Sequence, residues 1–475
     1  MSLKYTCRLP YQTIGFRHSK TFNFQVIVMR LLICFLLLAF PTFGQTNVDQ
    51  ELDGYIKHFR LRALSYPGNK NEALFKLGLT LFFEPALSGK GNISCHDCHS
   101  GRSHTSDWLP LGLGEGATGI GDFRNQADAK ILARHTPHLF NLGFRDIPNF
   151  FWDGRVRYHS QGGWFTPEPL LNGPTPLLWE IASSLDSLLA VQALFPIADP
   201  DEMLGQGSTL SKVEAWENAV KRIFQSRFTK KYQEMFAQAF PGVVNYNIAH
   251  VANALAEFQR YQFLAINTPW DLYLRGRKDL MSERMKRGAV LFYDKGQCVN
   301  CHTGDHMSSF GFQNIMIPHL GPGKSQGDDK GLWEVTKNPS DIYKFRVTPL
   351  RNAALTPPYM HNGYLTTMWD VIDHYDHPMR SLMHSVWNPT GDARYAEPII
   401  LDTNRERIMQ RARSAATPDM LPRFVRFTPE EKKDLYCFLM VGLTDLSLQD
   451  QFVTLGVLDE IDDCEPLIGY RAYDR

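Results

Sequence analysis

"GNISCHDCHSG", from Gly91 to Gly101, places two cysteines and two histidines within five consecutive positions, and "GQCVNCHTG", from Gly296 to Gly304, repeats the pattern. Both read C-x-x-C-H: Cys95, Cys98 and His99, then Cys298, Cys301 and His302. Four chemistries use cysteines this close. A zinc site needs about four converging ligands, yet the two pairs lie far apart along the chain, each in its own half. A thioredoxin-like dithiol expects a βαβ pattern beside it, which is absent. A disulfide across two intervening residues closes too short a loop to gain much. Covalent haem attachment uses every position: the thiols bond to the porphyrin vinyl groups and the adjacent histidine binds the iron. The sequence therefore implies two haem c groups.

The motifs sit inside a longer internal repeat. "LGLTLFFEPALSGKGNISCHDCHSG", from Leu77, aligns with "RGAVLFYDKGQCVNCHTG", from Arg287, through Gly78 and Gly288, then Leu81-Phe82 and Leu291-Phe292. Downstream, Thr136-Pro137 answers Thr348-Pro349, and Trp152-Asp153-Gly154 answers His361-Asn362-Gly363. Two repeats of this length imply a duplicated domain, since a solenoid needs at least three stacked units.

The chain has 475 residues, 43% hydrophobic and 21% charged, which suits a folded globular protein with more than one core. Lysine plus arginine and aspartate plus glutamate each count 50, so the formal charge is zero and no nucleic-acid footprint shows. "MRLLICFLLLAFPTFGQ", Met29 to Gln45, has the layout of a secretory signal peptide. Residues 1–44 are thus expected to be a leader, and the mature protein a periplasmic one without a membrane span. Of eight cysteines, Cys7 and Cys34 fall in the leader, and Cys437 and Cys464 remain outside the motifs. An oxidising compartment permits those two to pair, and the sequence leaves their pairing open.

"NYNIAHVANALAEFQRY" puts Ile248, Val251, Ala252, Leu255 and Phe258 on one helical stripe. "FTPEEKKDLYCFLMVGL" starts a helix, with Thr428 as N-cap and Pro429 in its first position. Asp107 to Lys130 and His319 to Lys344 read as long loops, and no strand-like alternation is evident. The expected fold is mainly α: an N-terminal domain over residues 45–265, a linker over 266–279 and a second domain over 280–475.

With these residues in place, the chain resembles the bacterial di-haem cytochrome c peroxidases and their MauG relatives, from about Leu77 to Leu443. The resemblance is carried by the first motif, "FWDGR" at Phe151, "QALFPIADPDEM" at Gln192, "FRVTPLRNAALTPPYMHNG" at Phe345, and "FTPEEKKDLYCFL". It implies two cytochrome-c-like domains, with a peroxidatic haem on Cys95 and Cys98 and an electron-transfer haem on Cys298 and Cys301. Glu202 matches the acid above the peroxidatic iron, Gln192 its neighbour, and Trp152 an aromatic relay between the haems. Proton transfer during O–O cleavage suits a carboxylate held close by.

Three positions depart from the peroxidase pattern. The loop histidine that some members place on the peroxidatic iron corresponds to Ala127, and His104 lies only five residues past His99, too near to replace it. The methionine on the electron-transfer iron corresponds to Tyr375, a MauG-like choice, with Met360 as the alternative ligand. The calcium that the family holds between its domains would use the carbonyls of Thr356 and Pro358, but its asparagine is His135, and calcium prefers oxygen. The expected activity is reduction of hydrogen peroxide, with a small redox protein such as a cytochrome c or cupredoxin as donor. A MauG-like enzyme modifying a partner protein and a di-haem electron carrier are the alternatives.

Overall fold

The computed structural model describes residues 48–324, 327–383, 392–396, 399–402, 404–415, 425–445, 447 and 464. The expected leader and signal peptide lie outside the described residues. Among the described residues, no helix is long and apolar enough to cross a membrane.

The chain is helix-rich and builds two main apolar cores. In the first, Asn71 caps the helix Glu72–Phe82 by accepting the Leu74 N–H at 3.1 Å. Leu74, Leu77, Gly78, Leu81 and Phe82 form its buried stripe, laid along the helix Ile248–Gln262. The two helices approach most closely at Gly78, where a Cβ would stand 1.9 Å from the Ala254 carbonyl oxygen. The stripe expected on Ile248–Gln262 is buried, but so are Asn253, Glu257, Gln259 and Arg260 on its other faces. The helix Leu188–Ala198 packs there as well. Glu257 is reconciled to burial by accepting from Asn71 N–H at 2.7 Å and Arg260 Nη1 at 2.8 Å.

The second core repeats this arrangement. The helix Glu283–Tyr293 packs on Pro429–Cys437, and a Cβ at Gly288 would stand 2.0 Å from the Asp434 carbonyl oxygen. Thr428 caps the latter helix as expected, in a reciprocal pair with Glu431, and Pro429 follows it. Cys437 is disulfide-bonded to Cys464.

Two stretches pack differently from the expected boundaries. The helix Val48–Phe59, grouped by sequence with the first half, lies on Glu283–Tyr293 in the second core. Leu52 is its one buried residue and enters that core, while Asp49 accepts from Tyr273 Oη at 2.8 Å and Lys286 Nζ at 3.1 Å. From Val48 onward, the described residues therefore start in the second core, cross to the first and return. The linker region 266–279 is no solvated tether: it contains the helix Pro269–Leu274, with Trp270 buried edge-on against Phe438. Asp271 there receives Arg351 through two bonds of 2.7 and 2.9 Å.

The long loops carry short antiparallel strands, 149–150 with 156–158 with 164–165, and 312–313 with 345–346. Strands of two or three residues are too short to print an alternating pattern in sequence.

Candidate active site

Each C-x-x-C-H motif forms a tight turn at the wall of a cavity. Ser94 precedes the first, its N–H and Oγ both donating to Asp97 at 2.7 and 2.6 Å. Cys95 and Cys98 are free thiols, and burial pushes them up to about 12 and about 11. Such thiols stay protonated, the opposite of a redox dithiol's activated sulfur. His99 Nδ1 lies 2.8 Å from the Thr105 carbonyl. A carbonyl only accepts, so Nδ1 carries the proton and Nε2 keeps its lone pair. Burial lowers the pKa of His99, which keeps the ring neutral.

The second motif matches. Cys298 is pushed up to about 12 by burial, His302 down to about 4, and His302 Nδ1 donates to the Met307 carbonyl at 3.2 Å. Two unpaired thiols beside a neutral imidazole with a free lone pair, set in a mostly apolar cavity, fit a covalent haem at each motif. Among the described residues, no group of three or more His, Cys, Asp or Glu is placed to hold a metal ion, so the zinc reading has no support.

The first cavity, of about 270 Å³, is lined by Cys95, Cys98 and His99 and also by Gln192, Glu202 and Trp152. Gln192 projects from Leu188–Ala198, which Ser187 caps. Glu202 follows in the turn that ends this helix, where its N–H donates to the Asp199 carbonyl at 3.1 Å. Its side chain is 26% exposed, with Oε1 3.9 Å from Arg155 Nη2. Burial raises the Glu202 pKa, helped by Asp199 and opposed by Arg155 and Lys324.

Among the described residues lining this cavity, the imidazoles are His99 and His135. His135 is turned away, with Nδ1 donating to the Leu109 carbonyl at 2.7 Å and Nε2 facing Ser106 Oγ at 3.4 Å. Ala127 and His104 are not in the lining. Thr356 and Pro358 are buried but border neither cavity, and the His135 ring offers no oxygen to a calcium ion.

Trp152 borders both cavities. A sharp turn presents it: Phe151 has φ +65° and Gly154 φ +64°, and a Cβ at Gly154 would fall 2.2 Å from the Phe312 ring. Trp152 Nε1 donates to the His135 carbonyl at 3.0 Å. Neighbouring Asp153 pairs with Arg134 at 2.6 Å, and Arg134 also grips Asp329 at 2.7 and 2.9 Å, tying the loop of one half to that of the other. Burial works to raise Asp153, but Arg134 and Arg155 outweigh it and bring the carboxyl to about 2.

The second cavity, of about 200 Å³, brings Cys298, Cys301 and His302 together with both Tyr375 and Met360. Tyr375 stands on the helix Met368–Asp376, capped by Thr367. Burial first, then the nearby cysteines, hold its phenol well above the ordinary value.

Sequence reasoning missed the cations at these cavities, among them Arg155, Lys324, Arg346 and Arg411. Arg155 and Arg346 stood inside the quoted "FWDGR" and "FRVTP" stretches, so a signal existed. Lys324 and Arg411 lie where no pattern marks them.

Comparison with known proteins agrees with this geometry. Residues 72–279 match the family model described as di-haem cytochrome c peroxidase. A cytochrome-c peroxidase from Pseudomonas sp. strain SCT is 26% identical over 74% of this chain and 84% of its own. The cytochrome c551 peroxidase of Pseudomonas aeruginosa is 29% identical over 62% of this chain and 70% of its own. The methylamine utilization protein MauG of Methylorubrum extorquens is 29% identical over 69% and 76%. Among solved structures, a MauG-like protein associated with microbial copper homeostasis aligns with TM-score 0.55 at 24% identity, over 82% of this chain and 94% of that one. The diheme peroxidase BthA from Burkholderia thailandensis aligns with TM-score 0.52 at 20% identity, over 79% and 87%. These two likenesses concern the fold. In its paired C-x-x-C-H motifs, its matched stretch and these relatives, the chain is similar to the di-haem cytochrome c peroxidases and the MauG proteins.

Proposed function

We propose that this chain is an exported periplasmic peroxidase that reduces hydrogen peroxide to water, using two electrons and two protons per peroxide. The observation that carries the reading is Glu202, a carboxyl of raised pKa that lines the first cavity together with Gln192, where no second imidazole among the described residues points inward. Haem, when bound, supplies the iron that takes peroxide and the electrons that cleave its O–O bond. Cys95 and Cys98 would hold one group with His99 as ligand, and Cys298 and Cys301 the other with His302. Glu202 accepts a proton from one peroxide oxygen at a carboxylate oxygen and returns it to the other. Gln192 orients the peroxide by hydrogen bonding, and Trp152, bordering both cavities, carries electrons from the second site to the first. A small redox protein, a cytochrome c or cupredoxin, is the proposed donor. Two cytochrome-c-like domains related by duplication, joined through residues 266–279, are supported by the matched glycine crossings at Gly78 and Gly288.

Tyr375 favours a second reading, a MauG-like enzyme that holds oxidising equivalents for use on a partner protein. Tyr375 borders the second cavity, and as an anionic phenolate it would favour higher oxidation states of a haem iron held there. Stopped-flow mixing of the oxidised protein with peroxide, with and without a reduced small cytochrome c or cupredoxin, separates the two. The peroxidase reading requires repeated turnover, with two donor electrons consumed per peroxide. A long-lived oxidised protein that no such donor reduces overturns it in favour of the second.

A further inference from the structure

We propose that Arg346 is one guanidinium shared by two cofactors, neutralising the carboxylates at the edge of the haem in each cavity. This rests on the reading that each C-x-x-C-H motif holds a haem.

Arg346 lies on the strand Phe345–Arg346, opposite Phe312, and its N–H donates to the Trp152 carbonyl at 2.9 Å. Residue and tryptophan are thus tied together between the sites, and both border both cavities. The Arg346 side chain is 7% exposed. Nη1 reaches the Asn149 carbonyl at 3.3 Å, and among the described residues Nε has no partner and no carboxylate pairs with the guanidinium. The other buried arginines near it are not left this way. Arg134 holds Asp153 and Asp329, Arg351 holds Asp271, and Arg411 holds Asp328. Burial accordingly lowers the pKa of Arg346, to about 10.

A buried, unpaired cation is costly unless an anion is supplied from outside the chain. Among the described residues, the second cavity's lining contains no Asp or Glu. In the first cavity, Lys130 and Arg155 already have Asp201 and Asp153 or Glu202 beside them. The anions that fit Arg346 are therefore carboxylates belonging to the bound groups, and its position offers it to both.

The test uses the holoprotein, with covalent haem counted by intact mass. Removing a positive charge next to an iron favours its oxidised form. In Arg346→Gln both midpoint potentials should fall in a spectroelectrochemical titration, and Arg346→Lys should return both towards wild type. A fall at one haem alone, or at neither, overturns the proposal, since a residue that only supports the fold would lower thermal stability without moving both potentials. If Arg346→Gln does not mature, Arg346→Lys decides: the propionate-bending resonance Raman bands of both haems must shift, and unchanged bands at either haem refute the sharing. A wild-type protein lacking two covalent haems would instead defeat the reading on which this rests.

Discussion

Replacing Glu202 by glutamine isolates proton transfer from everything else the side chain does. Glutamine has nearly the same shape and still fills the turn after Leu188–Ala198, but it cannot accept and return a proton. The ion pair with Arg155 that the substitution breaks is long, 3.9 Å, and the Glu202 side chain is 26% exposed. Its contribution to stability is therefore small, below about 1 kcal/mol. Losing a positioned acid–base group lowers turnover by roughly 10² to 10⁴. The smaller figure corresponds to about 2.7 kcal/mol of activation free energy. Steady-state peroxide consumption should thus collapse while the haem spectra and melting temperature stay near wild type. The pH profile adds a second reading. The pKa of Glu202 is raised, first by burial and then by Asp199. If the carboxylate is the working form, kcat/KM rises with pH through a limb above the ordinary glutamate value of about 4.3, and that limb vanishes in Glu202→Gln. Arg155 opposes the upward shift, so Arg155→Leu should move the limb to still higher pH. Near-wild-type turnover in Glu202→Gln, or a limb that persists in it, refutes the assignment.

Cys95→Ala with Cys98→Ala should remove one of two covalent haems, read by intact mass, and abolish peroxide turnover. Cys298→Ala with Cys301→Ala should remove the other and stop donor oxidation. Tyr375→Phe should change the spectrum of the second haem, and Tyr375→Met should raise its potential, because a thioether favours the reduced iron more than a phenolate does; Met360→Leu changing both while Tyr375→Phe changes neither would give the ligand role to Met360. Gly288→Ala drives a Cβ to 2.0 Å from the Asp434 carbonyl, so calorimetry should show a loss on the order of 1–3 kcal/mol or more; an unchanged melting temperature would contradict the tight helix crossing.

The C-x-x-C-H residues were legible because covalent haem attachment, the chemistry proposed for them, fixes their spacing within five positions. Gly78, Gly288, Thr428 and the Ile248–Phe258 stripe were legible for a similar reason, since each obeys a local rule. Glu202, Gln192 and Trp152 were reached through resemblance, because nothing local separates them from ordinary loop and core residues. The packing of Val48–Phe59 was not legible: a helix that buries only Leu52 does not say which core receives it. Arg346 and Arg155 were hidden in plain motifs, since the absence or nearness of a carboxylate partner is decided by where distant loops meet. Arg134 makes the same point, its two aspartates lying far apart in sequence but on either side of one guanidinium.

A haem held by Cys95 and Cys98 would share the first cavity with Glu202, and no second imidazole among the described residues would compete for its iron. Electron paramagnetic resonance of the oxidised protein, before any reductant is added, tests this directly. The geometry of the first cavity, with His135 turned towards Leu109 and no other imidazole pointing in among the described residues, predicts a high-spin ferric signal from one haem and immediate peroxide turnover. Two low-spin signals, with activity appearing only after one-electron reduction, would contradict it.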